Sequence, residues 1–185
     1  MKTLFGDLRR VSVIGTSGSG KSTFARRLAA MMHAPHIELD QLYWGPEWTE
    51  PTDDVFFPKI ETALSGDSWV IDGNYTRTQP IKWARVQLVI WLDFPLWLTL
   101  YRVTTRALSR ILTQRELWPG TGNRETWAKL FGKDSIVRWS YDTHASNIVK
   151  YERTIADPRY AHITFIRLCS PREAEWFLRD WSAHS

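Results

Sequence analysis

The sequence predicts an α/β fold: three layers, with helices on both faces of a five-stranded parallel sheet. Two observations carry that expectation. Short runs of strand character alternate with longer helical runs along the whole chain, which is the pattern of βαβ units. The run from Leu88 to Leu92 is apolar without alternation, as a strand covered on both faces must be. A length of 185 residues suits one such domain. The expected organisation is therefore a single domain over 1–185, with a helical region at about 102–153.

Taken in order, residues 11–14 (VSVI) make the first strand and enter a Gly-rich turn. Residues 22–32 follow as a helix with Phe24, Leu28 and Met31/Met32 on one face. Residues 36–39 make a short second strand ending at Asp40. Thr52 or Asp53 caps a helix that runs to about Leu64 and stops at Gly66. Residues 68–71 form the third strand, ending at Asp72-Gly73, and 88–92 the fourth, ending at Asp93. A long helix spans about 96–115, and 119–123 (PGTGN) is a loop. Helical sequence resumes from 124 to about 155, with a possible interruption at Gly132. Residues 163–168 are the last strand, and 171–181 a closing helix with Pro171 in its first turn. Ligands of open α/β sheets bind beyond the carboxyl ends of the strands. Asp40, Asp72, Asp93 and the Gly-rich turn all fall at that edge.

Composition narrows the function classes. The formal net charge is +4 with eleven tryptophans, and the sequence pI is near 9.3, compatible with anionic partners. Between Arg102 and Arg153, ten Lys/Arg face five Asp/Glu, so this span carries +5 and the remainder −1. Cys169 is the single cysteine, which excludes an intrachain disulfide. With no apolar leader over 1–10, it predicts a reducing, cytoplasmic setting. The most apolar stretch, 86–101, is broken by Asp93 and Pro95 and is too short and polar for a bilayer, so no membrane partner is expected. The five histidines (33, 36, 144, 162, 184) form no close ligand pair for zinc. Nucleic acid remains a possible partner without a supporting motif.

Gly15-Thr16-Ser17-Gly18-Ser19-Gly20-Lys21-Ser22 matches G-x-x-x-x-G-K-[ST] at every fixed position, after a predicted strand and before a predicted helix. The glycines permit torsions in which successive N–H groups converge on an anion. The helix that begins near Lys21 adds its positive end. Such a loop binds ATP: Lys21 reaches the β- and γ-phosphates, Ser22 ligates Mg2+, and Thr23 completes the binding stretch. The alternative is a flexible Gly/Ser loop without a ligand.

Other segments resemble the adenylate-kinase and shikimate-kinase group of P-loop phosphotransferases. Asp72-Gly73 followed by Arg77-Thr78 resembles the Asp-Gly-x-x-Arg-Thr segment of adenylate kinases, with one extra residue that speaks against AMP as acceptor. Leu92-Asp93-Phe94-Pro95, followed by Arg102 and Arg106, resembles the passage from strand to lid. His36-Ile37-Glu38-Leu39-Asp40 with Tyr43-Trp44, Trp69 to Tyr75 (WVIDGNY), Glu116 to Gly120 (ELWPG) and Asp157 to Tyr160 (DPRY) resemble a narrower bacterial family of adenylate-kinase-like or DNA topology modulation proteins.

The resemblance implies a P-loop fold with a helical lid, and roles for particular residues. Asp72 would hold Mg2+ through water; its other reading is a turn Asp before Gly73. Asp40 would orient an acceptor hydroxyl and take its proton, or else serve as a loop or capping residue. Arg77 would clamp an acceptor phosphate or carboxylate. Arg102, Arg106 and Arg110 share a helix face. Arg102 and Arg106, with Arg138 behind them, would approach the ATP phosphates, whereas Arg110, Arg115, Arg124 and Lys129 read as a solvated face. For Asp93 the structural reading is preferred, as a cap for the following helix. Tyr43, Trp44 and Trp48 after Asp40, and Asn74 and Tyr75 after Asp72, would lie on the acceptor side, where aromatic faces can stack on a base or a sugar. Taken singly, Trp44, Trp48, Trp83 and Trp97 are expected to pack between helices and sheet, and Arg172 to be exposed rather than over the adenine ring. Together these residues predict transfer of the γ-phosphate of Mg·ATP to an unidentified small molecule. The rival is an ATP-dependent regulator that contacts DNA, and the third reading is ATP hydrolysis without an acceptor.

Overall fold

The strand segments are β1 (Arg10–Gly15), β2 (His36–Glu38), β3 (Trp69–Asp72), β4 (Leu88–Leu92) and β5 (Thr164–Leu168), and they form one parallel sheet in the order β2-β3-β1-β4-β5. The computed structural model describes residues 8–132 and 135–184. The leaderless reading of 1–10 therefore falls largely outside the described residues, as do Lys133 and Asp134 of the basic span and the side chain of His184. From β1 the chain moves to one side for β2 and β3 and to the other for β4 and β5. The carboxyl end of β1 is thus a topological switch point, where a crevice opens.

A period of two divides the core. Val11, Val13, Val70, Leu88, Ile90 and Leu92 point to one face, where α1 (Lys21–Met31) and α8 (Pro171–His184) cover them. Ile14, Trp69, Ile71, Val89 and Trp91 point to the other, under α3 (Asp53–Ala63), α4 (Gln79–Trp83) and α7 (Ile136–Ile155). Every residue of β4 is buried, as its unbroken apolar run requires. At the edge, β5 is only partly covered. A smaller cluster of Ala107, Ile111 and Leu130, with Val137 against it, ties α5 (Leu96–Thr113) and α6 (Trp127–Phe131) to α7. At the start of α8, Ser170 and Glu173 bond reciprocally to each other, and Glu173 also accepts from the Cys169 N–H, a capping box ahead of Pro171.

Several expectations change in detail. Asp40 does not end a strand: it lies in the first turn of a five-residue helix, α2 (Leu39–Tyr43). Asp93 caps nothing, because the N-cap of α5 is Pro95. Its carboxylate instead takes the Arg167 guanidinium of β5 at 2.6 Å. The 124–155 stretch is two helices. Thr126 caps α6 through the Lys129 N–H, and Gly132 ends α6 where a Cβ would lie 2.6 Å from the Ala128 carbonyl oxygen. Trp83 packs as expected, but Trp97 is 69% exposed on the outer side of α5.

Candidate functional site

The Gly-rich turn joins β1 to α1 at the switch point. Two of its glycines are demanded by neighbours. A Cβ on Gly15 would lie 2.5 Å from the Leu92 carbonyl oxygen, and one on Gly18, at φ 86°, would lie 2.2 Å from that of Thr99. The loop is therefore wedged between β4 and α5, with Thr16, Gly18 and Ser19 buried. The Ser19 hydroxyl has no hydrogen-bond partner among the described residues. Ser22 is half-buried and Thr23 exposed in the first turn of α1. Lys21 Nζ donates to the Thr16 carbonyl at 3.1 Å. Burial lowers its pKa, and the charges of Asp72, Asp40 and Glu38 work against that fall.

Helix α5 runs past this loop and brings its arginines to it. Arg102 Nη1 donates to the Ser19 carbonyl at 3.4 Å, and its guanidinium lies over the Phe94 ring. Four residues on, Arg106 Nη2 donates to Ser17 Oγ at 3.1 Å. Arg110, the third on that face, departs from the solvated reading: it pairs at 3.9 Å with Glu125, itself nearly buried. Arg138 does not reach the loop. It is 69% exposed and pairs with Asp142 one turn along α7.

Carboxylates lie near the loop from β2, the start of α2 and the end of β3. Asp72 is 3% exposed at the end of β3. Its Oδ2 lies 3.5 Å from His36 Nε2 and has no hydrogen-bond donor among the described residues. Asp40 accepts the Tyr75 hydroxyl at 2.7 Å. Two residues before Asp40 stands Glu38, whose carboxyl is pushed up by burial and then by Asp72 and Asp40. Glu38 escaped the sequence reading because it occupied a strand position. Among the described residues no cluster of three His, Cys, Asp or Glu is disposed to hold a metal alone.

The β3-to-α4 turn contributes Asn74 and Arg77, which the sequence places on the acceptor side, and Lys82, which sequence reasoning passed over. The Asn74 carboxamide donates through Nδ2 to the Gly15 carbonyl and accepts the Gly15 N–H at 3.4 Å. Lys82, almost wholly buried, donates to the Gly73 carbonyl at 3.0 Å, and its pKa is pushed down to about 7, chiefly by burial. Arg77 lies in the short 3-10 turn Thr76–Thr78. It is held by Asp53 at 2.9 Å and sits over the Tyr43 and Phe56 rings.

Beyond α2, the loop at 44–49 meets the segment that joins α5 to α6. Asn123, 2% exposed, donates to the Gly45 carbonyl at 2.8 Å and accepts the Trp48 N–H at 2.9 Å. Trp118 stacks near Trp44 with 6.2 Å between centroids, and its edge contacts Trp48. Lys129 Nζ lies 3.1 Å from the Trp48 ring centre. On the far side of the site, Arg172 is exposed and lies 4.5 Å over Trp176.

No family model and no curated protein sequence matches the chain. Solved structures do. A gluconokinase from Sinorhizobium meliloti 1021 matches with a TM-score of 0.53 and 15% identity, over 96% of this chain and 91% of its own. A shikimate kinase from Acinetobacter baumannii, in complex with shikimate, matches with a TM-score of 0.55 and 19% identity, over 97% and 93%. At such identities the likeness is one of fold: the three-layer α/β/α architecture of P-loop kinases.

Proposed function

We propose that this protein is an ATP-dependent phosphotransferase acting on a small hydroxyl-bearing molecule. The observation that carries the reading is the enclosure of one glycine loop by opposite charges. Arg102 and Arg106 donate to its outer rim, Lys21 lies within it, and Asp72, Glu38 and Asp40 act on Lys21 from the sheet edge. The fold shared with a gluconokinase and a shikimate kinase agrees with it.

In this reading the loop N–H groups and Lys21 hold the triphosphate of ATP. Ser22 and Asp72 would hold Mg2+, and the undonated Asp72 Oδ2 fits that duty. When bound, the ion supplies charge neutralisation between the β- and γ-phosphates. The acceptor hydroxyl lies beside Asp40, with Tyr43, Tyr75 and Trp44 as walls and Arg77 at the outer end. Its oxygen attacks the γ-phosphorus in line as the bond to the β–γ bridging oxygen breaks. ADP leaves, and the hydroxyl proton passes to Asp40. Lys21, Arg102 and Arg106 stabilise the charge spread over the transferred group. The segment between α5 and α6 acts as the lid, excluding water that would hydrolyse ATP.

The resemblance to DNA topology modulation proteins supplies the rival reading, in which the +5 span faces DNA. It is weakened because Arg102 and Arg106 turn inward to the loop, while Arg110 and Arg138 are paired with Glu125 and Asp142. The test is ADP release screened across nucleoside monophosphates, nucleosides and hydroxylated metabolites, with Lys21→Ala as control. Acceptor-dependent ADP release lowered at least about 100-fold in Lys21→Ala is expected. ADP release that persists in Lys21→Ala, or salt-sensitive DNA retention with no acceptor found, would overturn the reading.

A further inference from the structure

We propose that Asn74 is a positioning residue of the phosphate loop, whose side chain replaces a missing strand neighbour beside Gly15. The proposal rests on the reading above only in taking the loop as the nucleotide site. β1 and β3 run in register from Arg10 opposite Trp69 to Val13 opposite Asp72. Carried two residues further, that register sets Gly15 opposite Asn74. The β3 main chain no longer continues the ladder there. It turns at Gly73, at φ 131°, and Lys82 holds the Gly73 carbonyl in the turned position. The turn cannot accept a larger residue, since a Cβ on Gly73 would meet the Leu39 Cβ at 2.7 Å.

The ladder is completed by chemistry of the same kind. A carboxamide carries a donor and an acceptor side by side, as a peptide group does. The Asn74 side chain uses both on Gly15, donating to its carbonyl and accepting its N–H. On the other flank, Gly15 is in register with Leu92 of β4. The residue at which β1 becomes the loop is therefore held from both sides, and the direction in which the next N–H groups point follows from it. Aspartate could not do this: ionised, it has no donor for the Gly15 carbonyl. The neighbouring residue, Tyr75, holds Asp40, so one dipeptide touches both the phosphate loop and the carboxylate proposed as base.

The test compares wild type, Asn74→Ala, Asn74→Asp and Lys21→Ala. Calorimetry measures the Kd for Mg·ATP, and two-dimensional NMR of 15N-labelled protein follows the Gly15 amide, with Val70 and Ile90 as core references. Asn74→Ala should bind Mg·ATP about tenfold more weakly, the worth of one good hydrogen-bonded contact. Asn74→Asp, of the same shape, should lose at least as much. In both, the Gly15 amide signal should move and lose protection from exchange while the references stay. Binding within twofold of wild type in both variants, with an unmoved Gly15 signal, would overturn the proposal. If wild type binds no Mg·ATP, or Lys21→Ala binds it equally well, the kinase reading fails instead. The Gly15 signal then decides alone whether Asn74 fixes this peptide.

Discussion

The wall of the cleft at β1 and the wall beyond β2 are fastened differently. At β1 the loop is fixed largely by main chain, with the Asn74 side chain standing in for a strand neighbour: Gly15 lies against the Leu92 carbonyl and Gly18 against that of Thr99, with no room for a Cβ at either. Beyond β2 the chain is fixed largely by side chains: Tyr75 on Asp40, Tyr43 on Glu50, Arg77 on Asp53, and Asn123 across to Gly45 and Trp48. A wall made of backbone contacts leaves few choices of residue, whereas one made of paired side chains can be altered pair by pair. In the proposed reaction the first grips the triphosphate common to every transfer, and the second meets the acceptor, which differs from one kinase to another.

Substitution on either side sharpens that contrast. The largest effect belongs to Gly18→Ala, which combines a left-handed torsion with a collision against main chain. A loss of about 3 kcal/mol in urea unfolding is expected, together with loss of Mg·ATP binding in calorimetry. A variant as stable as wild type would mean that α5 yields to the loop and that the first wall is not rigid. Next comes Asn123→Ala, which removes two buried hydrogen bonds across the second wall. It should cost about 2 kcal/mol yet leave the Kd for Mg·ATP unchanged. A Kd that moves with it would show that the walls are not independent.

The smallest effect concerns Lys82, at the turn between the two. Its pKa lies near 7 when folded, below the ordinary value for lysine. Between pH 7 and that ordinary value, near 10.5, the unfolded chain binds a proton that the folded chain has released. Stability due to this residue therefore rises with pH across the window, and the buried charge weighs most below pH 7. Lys82→Met should gain stability relative to wild type as the pH falls from about 9.5 to about 6, because only wild type must then carry a buried charge. Urea midpoints at the two pH values check this, and a gap that does not change with pH would contradict it.

The same contrast governs what could be read from the sequence. The phosphate loop was legible because its geometry restricts residue identity, and the strands were legible because burial on both faces leaves long apolar runs such as Leu88 to Leu92. The break at Gly132 was visible as a glycine within helical sequence. Helices α2 and α4 were not, since five residues make less than two turns and show no period. Asp40 was for that reason assigned to a strand end. Glu38, Lys82 and Asn123 carry no local signature at all. Each acquires its surroundings from residues distant in sequence: Glu38 from Asp72, Lys82 from the turn of β3, and Asn123 from Gly45 and Trp48. Arg77 was legible as a cation in the segment after β3, but its partner Asp53 was not.

Where Trp44, Trp48 and Trp118 converge beneath the Lys129 ammonium, the protein carries its own optical gauge. Indole emission responds to water and to a nearby cation. Any parting of the 44–49 loop from the segment bearing Trp118 would change both colour and brightness. Set against a Trp118→Phe variant, which separates this seam from the other tryptophans of the chain, such a change would report motion here in solution without an added label.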